Sequence, residues 1–182
     1  VGLSADDLHY VEAHGTGTAI GDPIETRALG IALGQDRAQP LPIGSVKSNM
    51  GHLETASGAA GLIKLLYAFK HRQVPATIGI KELNPHIDFV DLNLEVNQTP
   101  LVLPANQTLR MSINSFGFGG SNAHIILESA PHACEPQPVV TTQPLPLLLS
   151  AKSAESLHNY ANELADFIQS EGHTNLYDIA YQ

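Results

Sequence analysis

Thr55-Ala56-Ser57-Gly58-Ala59-Ala60-Gly61-Leu62-Ile63-Lys64-Leu65-Leu66-Tyr67-Ala68-Phe69-Lys70 decides the fold class of this chain. It opens with six small residues and continues through Leu62, Ile63, Leu65, Leu66 and Phe69, apolar on nearly every face. A helix of that kind is buried between layers and does not lie on a surface. Its glycines cost about 1 kcal/mol each in helix propensity relative to Ala, which close packing offsets. The stretch predicts a core helix sandwiched by sheets.

Strands and helices alternate on both sides of it. Leu8-His9-Tyr10-Val11 reads as a strand, and Asp22-Pro23-Ile24-Glu25 as a helix start with Asp at the N-cap, Pro at N1 and Glu completing a capping box. That helix is expected to run to Leu33, with Gly34 as its C′ residue. Ile43-Gly44-Ser45-Val46 follows as a strand. Residues 73–109 read as loops and short strands, and Arg110 to Ser115 and Ala123 to Glu128 as two strands around a glycine turn. The class is α/β, layered.

Five of the twelve prolines fall between Pro131 and Pro146, so the first domain is set at residues 1–130 and a Pro-rich linker at 131–145. Residues 146–182 then start a second unit: a strand at Leu147-Leu148-Leu149-Ser150, and a helix capped by Ser153. Leu157, Tyr160, Ala161, Leu164, Phe167 and Ile168 form its single apolar stripe, the mark of a docked surface helix. A further helix begins near Tyr177, where the unit is truncated.

Composition limits the function classes. The 182 residues carry a net charge of −9, which argues against nucleic acid or an anionic membrane as partner. Residues 131–182 hold six acidic residues against Lys152 alone, while all arginines lie before them. Apolar runs fall short of the roughly 20 residues a membrane helix needs. Val1 to Asp7 has no initiator Met, basic segment or apolar run, so it reads neither as a signal peptide nor as a natural start. A single cysteine fits a reducing, cytoplasmic setting.

Three segments could carry chemistry. His14 follows a strand end and precedes Gly15 and Gly17, which let the backbone turn and expose the ring; a capping or core histidine is the plain alternative. Gly15-x-Gly17 lacks a third glycine at Ile20, so it is not a dinucleotide loop. His52 sits at a strand-to-helix junction, where the positive helix end favours neutral imidazole suited to polarising a carbonyl. Lys47 precedes it by five residues. Phe116 to Asn122 supplies backbone N–H groups in a turn only glycines permit, as an oxyanion hole requires. Thr16 and Thr18 could hydrogen-bond an amide-bearing substrate arm. No metal is expected, because His14, His52 and His124 lack zinc-site spacing; His124 reads as structural.

Together these motifs resemble the C-terminal part of a β-ketoacyl synthase of the modular polyketide synthase type, followed by the start of the linker domain leading to an acyltransferase. The resemblance rests on Val11-Glu12-Ala13-His14-Gly15-Thr16-Gly17-Thr18 with Gly21-Asp22-Pro23-Ile24-Glu25, on Gly44-Ser45-Val46-Lys47-Ser48-Asn49-Met50-Gly51-His52, and on Asn114-Ser115-Phe116-Gly117-Phe118-Gly119-Gly120-Ser121-Asn122-Ala123-His124. It implies a thiolase-like α-β-α-β-α fold, of which this is the C-terminal part, in a homodimeric parent. It implies decarboxylative Claisen condensation of an acyl thioester with a malonyl-type unit on acyl carrier protein. His14 and His52 would promote decarboxylation, Lys47 would support them, and Phe118 would gate the site and lend its N–H to the oxyanion hole. Thr16 and Thr18 would contact the phosphopantetheine arm, and Asn122 would be structural at the site. No permanently bound cofactor is implied.

In that family the nucleophilic cysteine precedes the segment corresponding to Val1. Cys134, in the Pro-rich run, has no visible group to lower its pKa and reads as a linker cysteine. The chain alone is therefore expected to be inactive in condensation and to need the N-terminal half of the ketosynthase, with an adjoining acyltransferase or linker domain. Two other readings stand beside it: a decarboxylase-only variant with a replaced nucleophile, and a non-catalytic docking or assembly fragment.

Overall fold

The computed structural model describes residues 2–130, 146–170 and 179–180. The chain divides into two compact units, Val1–Pro131 and His132–Gln182.

In the first unit the elements in chain order are β1 (Tyr10–Glu12), α1 (Gly21–Leu29), β2 (Leu41–Gly44), α2 (Lys47–Met50), α3 (Ser57–His71), β3 (Gln73–Val74), β4 (Leu94–Val96), β5 (Leu101–Val102), β6 (Arg110–Phe116) and β7 (Asn122–Glu128). Five strands form one sheet in the order β4-β2-β1-β6-β7; β3 and β5 form a small antiparallel pair. β4, β2, β1 and β6 run parallel, and β7 returns antiparallel at the edge, with Phe116 opposite Asn122 at the turn.

Side-chain alternation along β1 explains the layering, since successive residues point to opposite sheet faces. Tyr10 joins a core with Leu65 and Ala68 of α3 and with Met111 and Ile113 of β6. Val11 joins the other core, with Leu29 of α1, Leu41 and Ile43 of β2, and Leu94 of β4. The sheet thus has α3 on one face and α1 on the other. Consecutive strands leave β1 toward β2 on one side and later reach β6 on the other. In α/β sheets, sites form at such a reversal, beyond the carboxyl ends of the strands.

Four expectations are corrected. α3 buries Ser57, Gly61, Lys64, Leu65 and Ala68, but Ile63, Leu66 and Tyr67 are 54%, 53% and 58% exposed, so among the described residues only one face of the helix is covered. α1 starts at Gly21, and Asp22 is not its N-cap; Thr18 Oγ1 accepts the Gly21 N–H (3.0 Å), and Asp22 Oδ1 accepts that of Gly17 (3.1 Å). The helix continues past Leu29 as a π turn through Gly34. Gly34 is there for close approach, since a Cβ would collide with the Leu92 carbonyl, and not for a left-handed C′ conformation. Finally, Leu147 to Ser150 is irregular and not a strand.

In the second unit α4 spans Ala154–Ser170, and Ser153 Oγ caps it by accepting the Ser156 N–H (3.1 Å). None of its residues is buried. The Pro-rich segment with Cys134 lies outside the described residues, as does most of the helix expected from Tyr177. No helix among the described residues is long and apolar enough to cross a membrane.

Candidate active site

Three loops leave the carboxyl ends of neighbouring parallel strands: β1 delivers His14, β2 delivers Lys47 and then His52, and β6 delivers Phe116. The sheet therefore gathers residues separated by about a hundred positions. The His14 and His52 rings stand 5.7 Å apart at 87°, and the Phe116 ring lies 5.4 Å from His14 at 57°.

The His14 loop is tied down from below. Buried Glu25 of α1 accepts the His14 N–H (2.7 Å) on Oε1 and the Gly15 N–H (2.9 Å) on Oε2, while Asn114 Nδ2 also donates to Oε1 (2.8 Å). Gly15 adopts φ +46, and a Cβ there would meet Ser45 Cβ at 2.7 Å, so a side chain is excluded by both conformation and space. Glu25 is the residue that sequence reading turned into a cap.

Hydrogen bonds settle which ring nitrogen accepts in each histidine. The Phe116 N–H donates to His14 Nδ1 (3.4 Å). The Glu54 N–H donates to His52 Nδ1 (2.8 Å), and the Ser57 hydroxyl lies 2.9 Å from that nitrogen. A backbone N–H can only donate, so each Nδ1 is an acceptor and the neutral rings carry their proton on Nε2. Both imidazoles then offer an Nε2–H. Burial holds the His14 pKa below its ordinary value, and the Lys47 charge adds to this against the pull of Glu25. His14 is accordingly neutral at pH 7. Lys47 is itself lowered by burial, with Glu12, Glu25 and Asp22 opposing.

The other expected residues are placed as follows. In the His14 loop Thr16 is half-buried and Thr18 exposed, their hydroxyls 3.3 Å apart. A cleft of about 580 Å³ runs beside them, lined among others by Gly15, Thr16, Gly17, Lys47, Ser48 and Thr77; neither histidine lines it. In the β6–β7 turn the Gly117 N–H bonds to Ser121 O (2.7 Å) and the Gly120 N–H to Gly117 O (3.1 Å), leaving the Phe118 N–H outside the turn's own bonds. The Phe118 side chain is fully exposed; the ring that meets His14 is Phe116. Asn122 is exposed at the start of β7, opposite Phe116. His124 Nδ1 pairs with Asn114 Oδ1 (2.6 Å), one bond away from Glu25.

Sequence reading missed the Phe116 ring as a neighbour of His14, the Ser57 hydroxyl and the Glu12–Lys64 pair. Glu12 and Lys64 carried a signal: Glu12 is the one charge of β1, Lys64 is the one charge in the body of α3 ahead of its basic last turn, and the two are of opposite sign.

Residues 1–81 match the β-ketoacyl synthase C-terminal domain and residues 84–182 the ketoacyl-synthetase C-terminal extension, so the chain belongs to the β-ketoacyl synthase family. Its relatives are polyketide synthases. Erythronolide synthase EryA3 of Saccharopolyspora erythraea is 41% identical over 99% of this chain, which spans 6% of that protein. A phenolphthiocerol/phthiocerol polyketide synthase of Mycobacterium tuberculosis is 42% identical over 99% of the chain, and 10% of it is spanned. The ketosynthase from module 1 of the bacillaene synthase of Bacillus amyloliquefaciens FZB42 superposes with TM-score 0.68 at 38% identity, over 99% of this chain and 33% of its own. The fold is thiolase-like, and the chain spans about a third of such ketosynthase structures.

Proposed function

We propose that this chain is the C-terminal part of a polyketide synthase condensing domain: residues 1–130 the ketosynthase part, 131–145 a linker, and 146–182 the start of the domain flanking an acyltransferase. The reaction is decarboxylative Claisen condensation, with the malonyl-type unit carried on the phosphopantetheine arm of acyl carrier protein. The observation that carries the reading is the pair of neighbouring His14 and His52 rings, each accepting a backbone N–H on Nδ1 so that Nε2 is left as its donor.

When the malonyl C–CO₂ bond breaks, CO₂ leaves and the electron pair moves onto the thioester carbonyl oxygen. Two fixed Nε2–H donors stabilise that enolate oxygen, where preorganised hydrogen bonds act on developing charge. The enolate carbon then attacks the acyl group on the enzyme cysteine, and the tetrahedral oxyanion collapses with loss of the thiolate. Neutral imidazoles suit this task, and the burial and Lys47 charge that keep His14 neutral support it. Lys47 acts as the supporting cation, and Phe118 gates the entrance and offers its backbone N–H. Thr16 and Thr18 take the amides of the arm, and Asn122 holds the turn that carries Phe118.

The nucleophile comes from the N-terminal half of the ketosynthase. Working partners are that half, the acyl carrier protein, an adjoining acyltransferase or linker domain, and a second copy in a homodimer, in a cytoplasmic setting. The test is decarboxylation of a malonyl thioester by the full-length polypeptide: His14→Ala and His52→Ala are each expected to abolish CO₂ release, and unchanged release in both defeats the two-histidine mechanism. The chain alone, incubated with an acyl thioester, should form no stable adduct by mass spectrometry; acylation at Cys134 overturns its linker reading.

A further inference from the structure

Beneath the site lies a buried ion pair that the reaction itself does not use. Glu12, the last residue of β1, is 1% exposed, and Lys64 of α3 is 8% exposed. Lys64 Nζ sits 2.6 Å from Glu12 Oε2 and donates to the Tyr10 hydroxyl (2.7 Å), which donates to the same Oε2 (3.0 Å). Removing two charges from water costs several kcal/mol per ion, so a buried pair is weak evidence of stabilisation and invites a search for another role.

That role is visible at the second carboxylate oxygen. Glu12 Oε1 accepts the Val46 N–H (2.5 Å), and Val46 is the residue immediately before Lys47. One carboxylate therefore joins three pieces. Through β1 it stands two residues from His14. Through Val46 it holds the start of α2, which carries Lys47 and leads into His52. Through Lys64 it holds α3, whose first residue Ser57 lies against His52 Nδ1. Gly61 allows this meeting, because a Cβ there would come within 3.1 Å of Glu12 Cγ.

We propose that Glu12, charged and oriented by Lys64 and Tyr10, is a positioning residue that sets His52 and Lys47 relative to His14 through its bond from the Val46 N–H. The inference rests on the two-histidine reading above. It assigns Glu12 no contact with substrate; it acts through the backbone.

The test separates the ion pair from the tether, in the full-length polypeptide, with kcat and KM for malonyl-thioester decarboxylation and Tm measured together. Val46→Pro removes the N–H and sets its Cδ where that hydrogen pointed, against Glu12 Oε1, so it breaks the tether outright; Val46 has φ −60, which proline adopts, and it precedes α2, so no helical hydrogen bond is lost. Glu12→Leu with Lys64→Met removes charges and acceptor together, keeping the volume apolar. Glu12→Gln with Lys64→Met removes the charges but keeps an amide oxygen for Val46. Misplacing a reacting group by about 1 Å costs on the order of 100-fold, so Val46→Pro and the Leu/Met pair are expected to lose about 10- to 100-fold in kcat with KM little changed. The Gln/Met pair should recover to within a few-fold of the parent.

Parent-like kcat in Val46→Pro, or in a folded Leu/Met variant, overturns the proposal. So does a Gln/Met pair no better than Leu/Met. Where Leu/Met does not fold, Val46→Pro set against the Gln/Met pair decides: a loss in the first with recovery in the second supports the tether, and any other result overturns it. His14→Ala is the control: if it leaves decarboxylation intact, the two-histidine reading has failed, whereas a dead His14→Ala beside an unaffected Val46→Pro fails the tether alone.

Discussion

His14 and His52 face each other edge to face, with ring centroids 5.7 Å apart and 87° between planes, and each has its Nδ1 occupied by a backbone N–H. The chain's own backbone has therefore chosen the tautomer of both rings. Long-range ¹⁵N–¹H spectra of the imidazoles should show both protonated on Nε2 at pH 8. An Nδ1-protonated signal from either residue breaks the oxyanion geometry.

Acid should disarm the site later than an ordinary histidine would suggest. His14 is pushed below its usual 6.5 by burial first and the Lys47 ammonium second. The limb of the kcat profile governed by His14 therefore falls below pH 6.5. Lys47→Met removes the neighbouring positive charge and should move that limb upward; a downward or absent shift contradicts the coupling. Stability has a definite sign too. Between the folded and unfolded pKa values the unfolded chain binds more protons, so His14's contribution is complete above 6.5 and is lost as pH falls from 6.5 through the folded value. The Tm-versus-pH slope in that window should shrink in His14→Gln.

Glu25 is a buried acceptor for three donors, the His14 and Gly15 N–H groups and Asn114 Nδ2. Glu25→Ala strands all three, and hydrogen bonds to charged groups contribute about 1.5–3 kcal/mol each before non-additivity. A loss of about 3 kcal/mol or more in urea unfolding is expected. A loss under about 0.5 kcal/mol, the range of an ordinary surface change, would show that the loop is held otherwise.

Gly61→Ala sets two effects against each other. Alanine gains about 1 kcal/mol in helix propensity. Its Cβ, however, would stand 2.6 Å from Ile113 Cδ1 and 3.1 Å from Glu12 Cγ, and overpacking a core costs about 1–3 kcal/mol. Net destabilisation is expected because Glu12 is held by Lys64, Tyr10 and Val46 and cannot swing away. A raised Tm would show that Ile113 and Glu12 yield more easily than their contacts suggest.

Much of the site is legible in the chain because its loops follow strand ends. His14, Lys47 and His52 stand where periodic apolar runs stop and glycine or a helix start intervenes, and the sheet order brings those ends together. Glu25 was not legible. Asp-Pro-Ile-Glu fits a capping box as well as a clamp, and what decides is that Thr18 already caps Gly21, freeing Glu25 to reach back to the His14 loop. Phe116 and Phe118 look equivalent in a glycine-rich run; only the strand's extension through Phe116 turns that ring to His14. The layering of α3 was half legible, since composition says a face is apolar but not whether its cover lies in the same chain.

That uncovered face yields the last prediction. Ile63, Leu66 and Tyr67 of α3 are each more than half exposed, on the side of the helix away from the sheet. Contiguous apolar surface of this kind on a folded domain marks an interface or an aggregation hazard. On the condensing-domain reading, the rest of the ketosynthase covers it. Leu66→Lys should then have opposite effects in two settings. In the isolated chain it should leave stability within about 0.5 kcal/mol of the parent, as exposed substitutions do, while reducing self-association in sedimentation velocity. In the full-length polypeptide it buries an unpaired charge and should lower stability by several kcal/mol. Equal behaviour in both settings means that α3 faces solvent throughout, and the layered condensing domain is then not what this helix was built for.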